Sequence, residues 1–258
     1  MKAVILAGGR GSRLAEVTDQ RPKPLVEIGG RPMIWHIMKI YSHHGVNDFV
    51  VCLGYKGYLL KEYFSNLALH DSDVTVDVAT RTVQYHQAPQ LPWRVTLVDT
   101  GIETMTGGRI RRVLPYIGDD ETFCLTYGDG VGNIDITASL DFHQSQGLLA
   151  TMTVVRPPAR FGTVHLLGDG RVEHFEEKGP APVHTTNGGF FVLDRRAVDY
   201  IAGDHTSWEV EPLQALAAEG QLAAFRHDGF WQPMDTVWER DYLEQLWSDG
   251  AAPWKVWP

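Results

Sequence analysis

Two hydrophobic periods alternate along the first half of the chain. Residues 2–7 carry the unbroken apolar run Ala3-Val4-Ile5-Leu6-Ala7 behind Lys2, which predicts a short strand buried on both faces, as at the centre of a parallel sheet. Met33, Ile34, Ile37, Met38 and Tyr41 then recur at helical spacing, in a segment opened by Pro32 and closed by Gly45. Strand-like runs follow at 48–55, 93–100 and 122–127, separated by helical patterns at 58–67 and 108–117. Such alternation predicts a mostly parallel sheet with helices on both faces. Beyond Ala150 the pattern changes. Strands are predicted at 149–156 and 190–193, with a hairpin at 162–175 turning at Gly168-Asp169-Gly170. Helices are predicted at 208–218, with Val210, Leu213, Leu216 and Ala217 on one side, and at 238–246. No repeat, low-complexity tract or long linker intervenes, so residues 1–258 read as one continuous domain whose second half lids the first.

Composition narrows the class. With 258 residues, 43% of them hydrophobic and 21% charged, the chain can bury a sizeable core without staples. Its formal net charge of -9 argues against a nucleic-acid partner, which selects for a basic face, but leaves room for a small nucleotide. Cys52 and Cys124 lie in apolar runs without metal-ligand spacing and read as reduced core thiols. The five apolar residues before Gly8 are too few for a signal peptide, and no run reaches the ~18 residues of a membrane span, so a cytoplasmic protein is expected. The histidines, among them His36, His43, His44 and His143, show no metal-site spacing. Trp254 and Trp257 in the terminal APWKVWP suggest a tail docked on the domain or on a neighbouring subunit.

Candidate chemistry begins at Ala7-Gly8-Gly9-Arg10-Gly11-Ser12-Arg13-Leu14, directly behind the first strand. It is not a P-loop, because no lysine stands at the required spacing after a glycine. It is a poor dinucleotide fingerprint: Leu14 occupies the third glycine position, and the second strand ends in Leu53-Gly54-Tyr55 without an acid for a ribose hydroxyl. What remains is a basic loop whose glycine amides can cradle polyphosphate, with Arg13 able to fork across phosphate oxygens and Lys23 stiffened between Pro22 and Pro24. Asp129, between Gly128 and Gly130 at the carboxyl end of a predicted central strand, is placed to bind Mg²⁺ or to make a simple turn. Asp235, in Phe230-Trp231-Gln232-Pro233-Met234-Asp235-Thr236, is an isolated acid among aromatic residues, and Asp235 or Thr236 can cap the helix that follows; both readings can hold at once.

Together these segments resemble the sugar nucleotidyltransferases. The motifs are Leu6-Ala7-Gly8-Gly9-Arg10-Gly11-Ser12-Arg13-Leu14 and Pro22-Lys23-Pro24. A narrower resemblance, to the glucose-1-phosphate cytidylyltransferases (CDP-glucose pyrophosphorylases), extends over nearly the whole chain: LVEIGGRPMIWHIMKIYSHHG, CLGYKGYLLKEYF, WRVTLVDTG, MTGGRIRRV, TYGDGV, NGGFFVL, GFWQPMDT and APWKVW. It implies an α/β fold: a single Rossmann-like nucleotidyltransferase domain, with 1–148 mainly binding nucleotide and 149–258 a smaller sugar-phosphate-binding and oligomerisation half. It implies Mg²⁺-dependent cytidylyl transfer from CTP to α-D-glucose 1-phosphate, giving CDP-glucose and pyrophosphate, by a homo-oligomer in deoxysugar biosynthesis.

By the same resemblance Leu6, Ala7, Gly8, Gly9, Gly11, Ser12, Arg13, Lys23, Thr104, Arg109 and Gly128 belong to the nucleotide site. Asp129 and Asp235 hold the metal; Gly162, Glu177, Lys178 and Asn187 face the sugar phosphate; Arg13, Lys23 and Lys178 supply catalytic charge. The chain departs from the family pattern at Arg10, where leucine is usual, at Ala159 before Arg160-Phe161-Gly162, and after Lys178, where Gly179-Pro180 replaces P-K-G. The competing readings are a nucleotidyltransferase for another nucleoside triphosphate or sugar 1-phosphate, and a non-catalytic nucleotide-binding regulatory subunit. A Rossmann oxidoreductase is a distant third.

Overall fold

The computed structural model of the chain describes residues 1–11, 18–86, 91–157, 163–166, 171–176 and 185–258. Its centre is a sheet of seven strands: β1 (Lys2–Leu6), β2 (Asp48–Leu53), β3 (Arg94–Asp99), β4 (Thr122–Tyr127), β5 (Ala150–Val155), β6 (Thr186–Asp194) and β7 (Leu222–His227). The spatial order is β3-β2-β1-β4-β6-β5-β7, and every neighbouring pair is parallel except those made by β6, which runs against β4 and β5. The chain leaves β1 toward β2 and β3 on one side, then crosses back to place β4 on the other. The carboxyl ends of β1 and β4 therefore flank the point where strand order reverses, the crevice in which open α/β sheets bind ligands.

Alternation along the strands builds two cores. Ala3 and Ile5 of β1, with Phe49 and Val51 of β2, point to the face covered by α1 (Met33–His43). Val4, Leu6, Val50 and Cys52 point to the other, against Ile110, Val113 and Ile117 of the helix Thr106–Ile117. Both faces are apolar, so the strands read as unbroken hydrophobic runs. Burial pushes the thiols of Cys52 and Cys124 up to about 12, making them packing groups rather than nucleophiles.

The structure adjusts the expected second half. Strand β6 spans nine residues rather than four, and β7 is an additional strand whose LAAFRH shows no clean alternation. The helix expected at 208–218 begins at Glu211, because Pro212 can stand only in a first turn. Trp208 precedes it, fully buried, and Val210 is exposed rather than on the apolar side. The hairpin strands form at Thr163–Leu166 and Val172–Glu176, while the turn at 168–170 lies outside the described residues. Among the described residues no helix is long and apolar enough to cross a membrane.

The aromatic tail docks on its own domain. Trp254 and Trp257 are buried beside His36 of α1 and Trp247 of the last helix. His36 Nε2 donates to the Ile28 carbonyl at 2.9 Å and Nδ1 accepts from Trp254 Nε1–H at 3.3 Å, so both ring nitrogens are committed to the neutral form. Burial lowers its pKa from 6.5 to about 4. The unfolded chain thus takes a proton near 6.5 that the native state refuses until about 4. The stability His36 contributes is complete above that window and is lost as pH falls through it. Urea unfolding should show a loss of about 3 kcal/mol from this group between neutral pH and pH 4, absent from the His36→Phe profile.

Candidate active site

The site is assembled from three chain segments that meet at the reversal of strand order. The first is the loop after β1. Ala7 N–H donates to the Cys52 carbonyl at 3.0 Å, and the Gly8 carbonyl accepts from Tyr55 N–H at 3.2 Å, pinning the loop to the end of β2. Behind it lies the buried guanidinium of Arg109. Its Nη1 donates to the Leu53 carbonyl at 2.9 Å and to Thr100 Oγ1 at 2.7 Å, and its Nη2 donates to the carbonyls of Gly8 at 3.2 Å and Ile102 at 3.3 Å. Arg109 therefore acts as a strut that fixes the loop floor, its charge directed at carbonyls. A Cβ on Gly8 would stand 2.1 Å from Arg109 Nη1, and one on Gly54 would stand 2.5 Å from the Gly8 carbonyl oxygen. These glycines are set by close approach of the strut as much as by any ligand.

The second segment is the short 3-10 turn Lys23–Leu25, entered from Pro22 and closed by Val26 N–H on the Lys23 carbonyl at 3.0 Å. Pro24 lies under the third segment: a Cβ on Gly128 would approach Pro24 Cγ at 3.0 Å and the Leu6 carbonyl oxygen at 3.1 Å. From Gly128 the chain enters a two-stranded ribbon, Gly130–Gly132 antiparallel to Trp231–Pro233, with Gly130 opposite Pro233. Met234 N–H donates to the Asp129 carbonyl at 2.8 Å. This ribbon is what brings Asp129 and Asp235, so far apart in sequence, to one place.

The choice of cap between Asp235 and Thr236 is settled here. Thr236 is the N-cap of the last helix, α2 (Val237–Ser248), and forms a capping box with Glu239, whose buried carboxylate accepts from the backbone N–H of both Asp235 and Thr236. The cap holds the Asp235 backbone while its side chain turns to the site. Lys23 Nζ then lies 2.7 Å from Asp129 Oδ2 and 2.7 Å from Asp235 Oδ1.

Leu6, Ala7, Gly8, Gly9, Gly11, Lys23, Thr104, Arg109, Gly128, Asp129 and Asp235 line one cavity of about 400 Å³. Asn187 lies in an adjoining hollow that shares Tyr127 and Asp129, its Nδ2 donating to Tyr127 Oη at 3.5 Å. Ser12, Arg13, Gly162, Glu177 and Lys178 lie outside the described residues. Tyr127 and Thr106, which line the cavity, and Glu209, which they both hold, escaped sequence reasoning. Tyr127 Oη donates to Glu209 Oε1 at 2.7 Å while Thr106 Oγ1 donates to Glu209 Oε2 at 2.6 Å; burial and the neighbouring Glu209 raise the phenol. At the rim, Arg10, the residue that departs from the usual leucine, pairs with Glu103.

A cation fits this arrangement by its donor chemistry: two carboxylates converge on one point, and a positive group already stands within hydrogen-bond distance of both. Among the described residues no third His, Cys, Asp or Glu joins them, so the remaining ligands of a divalent ion would come from water and phosphate oxygens, as hard cations such as Mg²⁺ accept.

A glycine-lined floor at the switch point, an ammonium beside it and paired acids at its edge define a phosphate-handling α/β enzyme site. The chain belongs to the nucleotidyl transferase family, whose model matches residues 2–249. It is 55% identical over 257 residues, 100% of both chains, to glucose-1-phosphate cytidylyltransferase of Salmonella typhimurium. It is 46% identical over 258 residues, again 100% of both, to the probable glucose-1-phosphate cytidylyltransferase of Bacillus subtilis. Among solved structures, UDP-glucose pyrophosphorylase complexed with UDP-glucose has the same fold at a TM-score of 0.68 and 16% identity, covering 96% of this chain and 98% of that one.

Gly8→Ala should destabilise the protein by about 1–3 kcal/mol, the usual cost of overpacking, as its methyl displaces the Arg109 guanidinium. Denaturant melts of Gly8→Ala against Gly9→Ala, where a Cβ meets nothing within 4 Å, measure this.

Proposed function

We propose that the protein transfers a cytidylyl group from CTP to α-D-glucose 1-phosphate, giving CDP-glucose and pyrophosphate, with Mg²⁺ held by Asp129 and Asp235. The observation that carries this reading is the meeting of the loop 6–11, Lys23 and both acids on one cavity, in a chain that matches the cytidylyltransferases from end to end. The glycine amides and Lys23 bind the nucleotide phosphates, and Thr104 and Gly128 border the nucleoside. Asn187, on the far side of Asp129, faces the sugar phosphate; Gly162, Glu177 and Lys178 are assigned to the same side, and Ser12 and Arg13 to the phosphates.

The nucleophile is a phosphate oxygen, already an anion at neutral pH, so the chain needs no general base. The barrier is repulsion between two polyanions. Unit charges ~4 Å apart repel by roughly 4 kcal/mol at an effective dielectric near 20, and several such pairs add. Mg²⁺ supplies neutralisation of phosphate oxygens between the reactants. Lys23 adds a positive charge, and the pinned loop holds the nucleotide phosphates so that attack and departure are in line.

Pyrophosphate release assayed with four nucleoside triphosphates and a panel of sugar 1-phosphates, with and without Mg²⁺, tests this directly. CTP with glucose 1-phosphate and Mg²⁺ should be preferred. Faster turnover of another pair would move the protein to a different nucleotidyltransferase specificity, and no turnover of any pair would favour a non-catalytic nucleotide-binding subunit. Asp129→Asn and Asp235→Asn should each lower kcat by at least two orders of magnitude, the scale of removing a preorganised charge-stabilising group.

The reading includes a cytoplasmic homo-oligomer serving deoxysugar biosynthesis. What supports association is the ribbon Asp73–Asp77 with Thr82–His86, in which Val74 pairs with Tyr85 and Val76 with Val83. Paired residues share a face, so these four make one apolar side opposite a polar one, and Val76, Val83 and Tyr85 are exposed in the single chain. Sedimentation velocity should show an oligomer for the native chain and monomer for Val76→Lys/Val83→Lys.

A further inference from the structure

Lys23 stands where a cation would stand. Its ammonium bridges Asp129 and Asp235 at 2.7 Å each, on a side chain only 10% exposed, while Asp235 is 15% and Asp129 37% exposed. We propose that Lys23 is the resident counter-ion of the metal seat: without nucleotide its ammonium holds the two carboxylates together, and a divalent ion takes the seat only when phosphate draws the ammonium away. The proposal rests on the metal assignment made above and adds an order of events to it.

Three observations carry it. Two carboxylates brought together by the Gly130–Gly132 and Trp231–Pro233 ribbon repel each other, so the fold needs a positive charge between them whether or not metal is present. A divalent ion bound closely to these oxygens and an ammonium at hydrogen-bond distance from the same oxygens repel each other, so each weakens the other's hold. Finally, Lys23 lies between Pro22 and Pro24 at the start of a buried 3-10 turn, which restricts the ammonium to the cavity it faces. The cavity's remaining carboxylate, Glu103, is paired with Arg10, so the anion it leaves for the ammonium is a ligand's phosphate, on the glycine floor at 8–11. Phosphate binding and metal binding are thereby coupled through one side chain, and the coupling acts equally in both directions.

The test is Mn²⁺ binding to the nucleotide-free protein, followed by the electron paramagnetic resonance of free Mn²⁺. Lys23→Met keeps the stem and removes the charge. It should bind Mn²⁺ at least ~10-fold more tightly than the native protein, equivalent to about 1.4 kcal/mol. The gain should vanish in Lys23→Met/Asp235→Asn, and Lys23→Arg, which keeps the charge, should stay near the native affinity. Lys23→Gln gives the same reading if Lys23→Met fails to fold, as judged by circular dichroism. Unchanged or weaker Mn²⁺ binding in the folded neutral variants overturns the counter-ion role. The metal assignment fails separately, if Asp129→Asn and Asp235→Asn bind Mn²⁺ in the presence of CTP as the native protein does.

Discussion

The contact between one ammonium and two carboxylates sets the terms for everything around the site. Two ionised acids held at one point in a partly buried crevice call for a positive partner, because each raises the cost of ionising the other. The fold nevertheless brings them together from distant parts of the chain. Asp129 leaves the carboxyl end of β4, and Asp235 leaves the ribbon strand that pairs just beyond it. Lys23 supplies the partner from a third segment. Its backbone is committed to a tight turn and its side chain is almost fully buried, so little conformational freedom remains to be lost when the contact forms.

The rest of the architecture fixes these three segments relative to one another. Parallel pairing of β1 with β4 sets the glycine loop beside Asp129, since Leu6 lies opposite Tyr127 in register. Arg109 ties that loop to β2 and to the 100–102 segment through four acceptors, a role that needs a buried guanidinium with several donors rather than an ammonium. The capping box at Thr236 and Glu239 holds the other acid at the head of α2. The same helix reaches back to the ribbon at 27–32, where Gly29 N–H donates to Glu244 at 2.8 Å. Disturbing any of these supports moves a charge rather than merely loosening a surface.

Much of this arrangement can be read in the sequence because it depends on local rules. An apolar run of five, a glycine loop behind it and a helix between Pro32 and Gly45 each have one natural structure. The T-x-x-E at Thr236 to Glu239 has the spacing of a capping box, and the sequence offers either Asp235 or Thr236 as the cap; the hydrogen-bonded Glu239 assigns it to Thr236. The role of Arg109 was open for a different reason. A family motif marks the residue as belonging to the nucleotide site; only the carbonyls of Gly8, Leu53 and Ile102, from three separate segments, show that its guanidinium also braces the wall of that cavity. Glu209 carries no local signal, since its contact with Tyr127 spans 82 residues and depends on where β4 meets the loop before the helix Glu211–Ala218. Strand β7 is legible only through its parallel pairing with β5.

The departure at Arg10 belongs with these long-range contacts. The arginine extends to Glu103 on the segment leading into the helix Thr106–Ile117. Both side chains are more than half exposed, and an ion pair in that setting contributes little to stability, ~0–1 kcal/mol. Its effect is therefore one of charge placement: a second cation lines the same cavity as the ammonium of Lys23. A polyanion approaching the cavity meets Arg10 already partnered, as it meets Lys23 already partnered. Under the proposed function, phosphate at either position would compete with a carboxylate of the protein itself, and binding would rest on a difference between two sets of anionic contacts rather than on the attraction of unpaired charge.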